Sequence, residues 1–325
     1  MFCLFFPLCL SQFSDYFLVD GLINSSFYQG IRNIIGDGRF FISNCKFHFL
    51  ASTIDGSAIY ANNIIANVVI EECSFISCSS LQLGGAVYFV CPNGQFAMAK
   101  CCAHNCSSGK EYHYQFFIAS TSENRILIVS SNSINQCSLS PYSRYYAFFL
   151  SYGNQTIGST NNTRNILLYY SGYECRLAKS SISKFNNLAN NWMDNGILLC
   201  WRNCIDNNFQ FCNLINNSQG NLYNNLYGIV LPWDNSVVNL FSCVFLNNAK
   251  SGNGALFSIT AGCTVTVDSC YIDIITYSIN QATVINPKTA PNPLPVINEN
   301  NCINHHYTYQ SSPQKRFIPL VFLLI

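Results

Sequence analysis

The sequence predicts an all-β solenoid, a parallel β-helix of about eight to nine coils with roughly 28 residues in each coil. Three observations lead to this fold class. A short motif returns eight times along the chain, and alternating apolar residues, the pattern of a strand, lead into its copies. The composition agrees, because aromatic residues (14%) and asparagine (about 40 residues) are abundant, which favours strands and turns over helices.

The repeated motif starts most often with Cys or Ser, then has one residue, a large apolar residue and two further residues, and usually ends in Cys or Asn. Its eight copies begin at Cys45, Cys73, Cys101, Asn132, Ser171, Cys212, Cys243 and Cys270. The intervals before and after Ser171 are longer than the others. They predict two longer loop insertions, around residues 138–165 and 176–208.

A second short strand follows most copies and is often introduced by Gly and Ala, as in Gly84-Gly85-Ala86-Val87. A unit of this size cannot bury its own apolar face, so neighbouring units must stack to complete a core. Stacked coils lie about 4.8 Å apart, which places equivalent residues above one another. A β-propeller or a leucine-rich repeat fits worse, because propeller blades are longer and these units lack a Leu consensus.

Equivalent motif positions predict ladders of like side chains inside the coil. The last position holds Asn217 and Asn248, whose amides can satisfy buried turn backbone. The first position gives two runs of cysteine, Cys45, Cys73 and Cys101, then Cys212, Cys243 and Cys270. The third position gives an apolar column of Phe47, Phe75, Ala103, Ile134, Tyr173, Leu214, Phe245 and Ile272.

Two tetrapeptides connect the repeat with a known family. Gly84-Gly85-Ala86-Val87 and Phe245-Leu246-Asn247-Asn248 match the GGA[ILV] and FxxN signatures, whereas Phe75-Ile76-Ser77-Cys78 has Cys in place of the final Asn. Over about residues 39–286 the chain resembles the polymorphic outer membrane protein repeats of the pectin-lyase-like superfamily. The resemblance implies a right-handed parallel β-helix and a secreted or surface-displayed adhesin.

The two ends differ in composition from the predicted β-helix domain, residues 39–286. Residues 1–38 begin with an apolar run, which is either a signal peptide or an N-terminal cap of the first coil. Residues 287–325 form a Pro- and Asn-rich tail that ends in nine apolar residues, 317–325. A membrane-spanning helix needs about 20 residues, so this segment is a truncated anchor, the stub of a lipid-anchor signal, or a capping strand.

The net charge argues against a nucleic-acid partner, and the glycosylation sequons give no evidence about function. Sixteen Lys and Arg against fifteen Asp and Glu give a net charge of +1, so we expect no nucleic-acid partner. Five Asn-x-Ser/Thr sequons are close to the roughly six expected by chance, so they give no evidence of secretion. They begin at Asn24, Asn105, Asn154, Asn161 and Asn216.

The sequence contains no arrangement of acids and bases that predicts an enzyme. Enzymes with this fold cut acidic polysaccharides with clustered Asp and basic residues, but the nine Asp of this chain are scattered. The only acidic pair, Glu71-Glu72, should point to opposite faces of a strand, which predicts a solvated strand edge. We therefore assign no catalytic or cofactor-binding residue and expect no cofactor.

The densest group of soft metal ligands is Cys101, Cys102, His104 and Cys106. Alternation along a strand would place Cys102, His104 and Cys106 on one face, which makes a metal site one interpretation. The repeat register instead assigns Cys101 and Cys106 to internal ladders, and we favour this structural role. Cysteines one coil apart also lie within disulfide range, so thiol and disulfide both remain open among the 18 cysteines.

The sequence therefore favours a non-catalytic extracellular or cell-surface scaffold for adhesion or ligand binding. Its partner would be a host or other extracellular protein, or a glycan, and the two predicted insertions would carry specificity. Aromatic residues there, Trp192, Trp201, Tyr142, Tyr145 and Tyr146, are candidate ligand contacts, with core and edge packing as the alternative. Membrane association, a polysaccharide-active enzyme and a cytoplasmic structural scaffold are the other interpretations.

Overall fold

The computed structural model describes residues 32–34, 37–62, 65–109, 116–120, 122–137, 148–167, 170–193, 197–220, 228–248, 256–273 and 282–293. These residues form a parallel β-solenoid of about seven turns with about 28 residues in each turn. They contain no helix, and therefore no helix long and apolar enough to cross a membrane. The all-β solenoid predicted from the repeat is confirmed, with slightly fewer turns than expected.

Three long parallel sheets make up the walls of the solenoid. Sheet 1 contains β1 (Arg32–Ile34), β5 (Ile59–Ala61), β9 (Val87–Val90), β13 (Phe116–Ala119), β16 (Phe148–Ser151), β20 (Tyr170–Arg176), β24 (Ile197–Arg202) and β28 (Val230–Trp233). Sheet 2 contains β2 (Gly38–Ser43), β6 (Ala66–Glu71), β10 (Gln95–Ala99), β14 (Ile126–Ser130), β17 (Asn154–Gly158), β21 (Ser180–Lys184), β25 (Asn207–Gln210), β29 (Val237–Phe241), β31 (Thr264–Asp268) and β33 (Thr283–Ile285).

Sheet 3 contains β3 (Lys46–His48), β7 (Ser74–Ile76), β11 (Cys102–His104), β15 (Ser133–Asn135), β18 (Asn161–Thr163), β22 (Asn187–Ala189), β26 (Asn213–Ile215), β30 (Val244–Leu246) and β32 (Tyr271–Ile272). Two-residue strands follow sheet 3 and form two small sheets, one of β4 (Ala51–Ser52), β8 (Ser79–Ser80) and β12 (Ser107–Ser108), the other of β19 (Ile166–Leu167), β23 (Trp192–Met193) and β27 (Ser218–Gln219). The first strand precedes residue 39, the predicted start of the domain.

The register of sheet 3 corrects the predicted repeat in its middle. Ser133 pairs with Asn161, Asn161 with Asn187, and Asn187 with Asn213, so two further copies begin at Thr160 and Asn186. The predicted copy at Ser171 is wrong, because this residue lies in β20 of sheet 1. Tyr173 therefore does not belong to the apolar column of sheet 3.

The same register leaves little room for the two predicted insertions. Residues 154–165 contain strands of sheets 2 and 3, and residues 176–208 contain consecutive strands of all three sheets. Neither of these described ranges is a long loop, so the prediction is wrong there. The cause is the missed pair of coils, whose motifs carry Thr and Asn where other copies carry Cys. Residues 138–147, with Tyr142, Tyr145 and Tyr146, lie outside the described residues.

The second and third corners of the described coils are each made by one residue with positive φ, and none of these residues is glycine. An L-residue pays roughly 1–2 kcal/mol for this left-handed conformation, and the inter-coil hydrogen bonds that it permits offset that cost. At the second corner, between sheets 2 and 3, these residues are Asn44, Glu72, Lys100, Ser131, Ser159, Phe185, Phe211, Ser242 and Ser269. At the third corner, after sheet 3, they are Phe49, Ser77, Asn105, Gln136, Arg164, Asn190, Asn216 and Asn247.

The residue after each such corner points inward, and asparagine at this place forms the predicted amide ladder. After the third corner the ladder runs through Asn165, Asn191, Asn217 and Asn248. Asn217 Oδ1 accepts from the Nδ2 of Asn191 at 3.0 Å and from its backbone N–H at 3.1 Å. Asn217 Nδ2 donates to the carbonyl of Leu188 at 2.9 Å. The amides thus satisfy buried backbone groups that strands leave free at a corner.

Cysteine performs a similar role at other corners as a free thiol. Fourteen described cysteines are thiols rather than members of a disulfide, and all but Cys263 are buried. The Cys73 thiol donates to the carbonyl of Glu71 at 3.2 Å, and the Cys78 thiol donates to that of Phe47 at 3.1 Å. Cys102 alone among the described cysteines is disulfide-bonded. The internal cysteine ladders are therefore thiols and not chains of disulfides.

Candidate functional site

The polar residues nearest to an enzymatic arrangement lie on the outer face of sheet 3 in the first coils. His48 Nε2 and Ser74 Oγ are hydrogen-bonded at 3.0 Å, the geometry of a base beside a hydroxyl. A nucleophile also needs backbone or side-chain donors for an oxyanion. The Ser74 N–H is already committed, because it donates to the carbonyl of Cys45 at 2.9 Å. The pair on its own can hold a hydrogen bond but does not constitute a catalytic site.

The acidic pair Glu71-Glu72 is not the solvated strand edge that the sequence predicted. Glu72 has φ +53 at the second corner, so its side chain does not continue the alternation of the strand. Lys100 Nζ lies 2.8 Å from Glu71 Oε1 and 3.4 Å from Glu72 Oε1. Burial opposes the charge on Lys100, but the bond to Glu71 and the two carboxylate charges outweigh it and raise the pKa of the ammonium. Both acids therefore converge on one cation.

The cysteine and histidine cluster of the third coil does not assemble a metal site. Cys101 and Cys106 are buried at corners, where their thiols donate to the carbonyls of Ala99 (3.2 Å) and Phe75 (3.5 Å). Cys102 is disulfide-bonded, and partial burial lowers the pKa of His104. Among the described residues, no group of three His, Cys, Asp or Glu side chains could hold a metal ion.

The two tryptophans predicted as ligand contacts, Trp192 and Trp201, differ in their burial. Trp201 is 1% exposed and packs edge-on against Phe209 in the core, with ring centroids 5.8 Å apart, so it cannot contact a ligand. Trp192 is half-buried in β23. The third tryptophan, Trp233, is half-buried beneath Arg202, whose guanidinium carbon lies 5.0 Å from the ring centroid.

The sequence prediction missed a group of exposed aromatic side chains, which we call the aromatic ridge: Phe185, Phe211 and Phe241. They are 49%, 36% and 37% exposed. Phe185 and Phe211 occupy the second corner of consecutive coils and stack at 5.4 Å with an interplanar angle of 11°. Phe241 meets Phe211 edge-on at 5.5 Å. The three rings form a continuous apolar strip across three coils.

The backbone of the second corner does not require the phenylalanines of the aromatic ridge. The other residues at the second corner are Asn44, Glu72, Lys100, Ser131, Ser159, Ser242 and Ser269, all polar or charged. A phenylalanine there keeps the left-handed backbone, at a cost of roughly 1–2 kcal/mol, and leaves apolar surface in water. Stacking between the rings returns about 0.5–1.5 kcal/mol. Fold stability alone therefore does not select phenylalanine over serine at this corner.

The orientation of the rings determines what the ridge can bind. Phe185 and Phe211 stack face to face, so each ring covers one face of the other. A sugar ring packs its C–H groups on an aromatic face, where the quadrupole is negative. Val237, at the other end of β29 from Phe241, is also exposed, and apolar surface of this kind suits the apolar side chains of a protein better.

Comparisons of the chain with protein-family models, with curated proteins and with solved structures find no match. The resemblance of the tetrapeptides to a particular β-helix family therefore has no support beyond the parallel solenoid itself.

Proposed function

We propose that the chain is a non-catalytic surface or secreted β-helix protein that binds an extracellular protein through the aromatic ridge. The exposed rings of Phe185, Phe211 and Phe241, two of them at a corner that is otherwise polar, carry this proposal. Exposed aromatic side chains are the residues that most often anchor protein interfaces. The tetrapeptide resemblance to the polymorphic outer membrane protein repeats supports surface display, and with it a right-handed coil.

Polysaccharide cleavage is not the function that we propose. Glu71 is 3% exposed and is held by Lys100, so a polymer chain lying on the surface would not meet its carboxylate. A glycan is also a poorer partner than a protein, because in the stack each of the two rings covers one face of the other.

Surface display can be tested by protease shaving of intact cells that express the chain with an epitope between Glu123 and Asn124, an exposed turn. We expect the epitope to be cleaved before lysis while a cytosolic marker stays intact. Survival of the epitope until the cells are lysed would overturn display and favour the intracellular scaffold.

Binding can be tested with the double variant Phe185→Ser and Phe211→Ser, which installs the residue that other coils use at this corner. We expect purified wild-type protein to adhere to immobilised extracellular-matrix protein and the variant to lose at least tenfold in affinity. Phe49→Ser is the matched control, because Phe49 is also an exposed phenylalanine with positive φ, at the third corner. Equal binding by the double variant, or equal loss in the control, would exclude the ridge as the binding surface.

A further inference from the structure

The four sequons within the described residues have different surroundings, which the sequence alone does not distinguish. Asn161 is 0% exposed, and its Oδ1 accepts from the Nδ2 of Asn187 at 2.6 Å. Asn154 is half-buried and accepts from Ser180 Oγ at 3.1 Å. Asn105 and Asn216 are exposed. Only the last two therefore present their amides to the solvent.

Asn105 and Asn216 also share one backbone geometry. Both are left-handed residues of the third corner, with φ of +52 and +54. The next residue, Cys106 or Asn217, is buried inside the coil, and the hydroxyl residue, Ser107 or Ser218, begins a two-residue strand. The corner thus directs the asparagine outward while its neighbour anchors the chain.

We propose that Asn105 and Asn216 are N-glycosylation sites when the chain passes through a glycosylating secretory route. This inference rests on the proposed surface or secreted function. The donor would be a lipid-linked oligosaccharide pyrophosphate. The Asn Nδ2 forms a bond to C1 of the first sugar, the bond from C1 to the pyrophosphate oxygen breaks, the lipid pyrophosphate leaves, and the amide gives up one proton.

A glycan at either site is compatible with the folded coil. Asn105 Nδ2 donates to Ser77 Oγ at 3.0 Å on the surface, and a glycosylated amide keeps one N–H. The two sites lie on the same corner four coils apart, which is about 19 Å along the solenoid. Strand β26 separates Asn216 from Phe211 in the same coil, so a glycan on Asn216 would border the aromatic ridge.

The experiment expresses the full chain behind a heterologous cleavable leader in eukaryotic secretory cells, in an Asn24→Gln background. We expect glycosidase treatment to remove the mass of two glycans. Ser107→Ala and Ser218→Ala should each remove one, and Ser107→Thr and Ser218→Thr should retain both, which separates loss of the sequon from loss of folding. Asn161→Gln should leave the glycan mass unchanged.

Absence of any glycan, or occupancy of Asn161 or Asn154, would overturn the inference. Because the leader is supplied, this result does not depend on how the chain is exported in its own cell. Failure of the shaving experiment with a normal glycan pattern would contradict the proposed function and leave Asn105 and Asn216 as competent sites.

Discussion

The interior of the solenoid differs between its first four coils and the coils that follow. In the first coils, large apolar rings fill the interior, and the rings of Phe47 and Phe75 stack at 5.2 Å. In the middle coils, buried polar side chains lie among apolar ones such as Trp201 and Phe209, and some polar atoms have no hydrogen-bond partner: Gln155 Oε1, Asn162 Nδ2 and Asn207 Oδ1. One coil geometry thus accommodates both interiors, provided that the corners satisfy the backbone.

This difference shows which interactions hold each region. Each coil of a solenoid contacts only its neighbours, so stability is approximately a sum of local terms. The first region gains mainly from apolar burial. The middle region is stabilised by the amide ladder of Asn165, Asn191 and Asn217 and destabilised by unpaired polar atoms. Substitutions in the two regions should therefore change the free energy of unfolding for different reasons and by different amounts.

The largest expected effect is in the apolar region. Phe75→Ala removes a fully buried ring that stacks on Phe47 and meets Phe116 edge-on at 5.8 Å. We expect the free energy of unfolding to fall by about 4 kcal/mol, as measured by urea denaturation followed by circular dichroism. Phe211→Ser, in the exposed ridge, should change it by less than about 1 kcal/mol. Similar losses in both variants would show that ring burial does not hold the first coils.

The next effect is in the amide ladder. Asn191 Oδ1 accepts from Asn165 Nδ2 at 3.1 Å, and Asn191 Nδ2 donates to Asn217 Oδ1 at 3.0 Å and to the carbonyl of Asn162 at 3.0 Å. Asn191→Ala removes these bonds and also the acceptor of the buried Asn165 N–H, which donates to Asn191 Oδ1 at 3.0 Å. We expect a loss of about 3 kcal/mol in the same assay. The neighbouring Asn190→Ser changes an exposed corner residue to one used at Ser77 and should be nearly neutral. If Asn191→Ala left the free energy of unfolding unchanged, the amide ladder would not be what stabilises the middle coils.

The corners also explain which parts of the molecule the sequence could predict. Copies with Cys at the first position, such as Cys73 and Cys101, were identified because a rare residue recurs at a constant spacing. The copies at Thr160 and Asn186 were missed, because their residues are common in this chain and Asn162 interrupts the apolar column. Many side chains satisfy the same hydrogen bonds at a corner, so the fold constrains geometry there more than residue type.

The candidate site was harder to predict for a related reason. Phe185 lies beside an unrecognised copy of the motif, so its place at an exposed corner was not visible in the sequence. Glu72 was placed on a continuing strand, whereas its positive φ ends the alternation and turns its carboxylate towards Lys100. Left-handed corners occupied by ordinary L-residues have no simple sequence signal, unlike glycine.

Alkaline pH should distinguish thiol corners from amide corners. Burial raises the pKa of the Cys204 thiol from its ordinary value of 9.0 to about 11. Between these values only the unfolded state releases the proton, so the free energy of unfolding should fall as pH rises from 9 to about 11. Cys204→Ala should reduce the slope of the free energy of unfolding against pH by an amount that corresponds to at most one proton per molecule. The slope is measured from urea midpoints under reducing conditions.

The amide corner provides the control for this titration. Asparagine has no ionisable proton in this range, so Asn191→Ala should lower stability by the same amount at both ends of the interval and keep the wild-type slope. An unchanged slope in Cys204→Ala, or a changed one in Asn191→Ala, would contradict the assignment of alkaline sensitivity to buried thiols.

The smallest expected effect comes from replacing one buried polar residue of the middle coils by an apolar residue of the kind found in the first coils. Asn162 lies between Ile134 and Leu188 in the register of sheet 3, and its buried Nδ2 has no partner. Asn162→Leu should stabilise the chain by about 1 kcal/mol, because it removes an unpaired donor and extends the apolar column.

That gain is limited because Asn162 Oδ1 accepts from Asn165 Nδ2 at 2.5 Å. Asn165 Nδ2 keeps Asn191 Oδ1, at 3.1 Å, as an acceptor after the change. The reverse change one coil earlier, Ile134→Asn, places an amide among apolar side chains and should destabilise by about 3 kcal/mol. If Asn162→Leu instead lowered the urea midpoint, the bond to Asn165 would outweigh the unpaired donor, and the polar interior would be a stabilising feature of the middle coils.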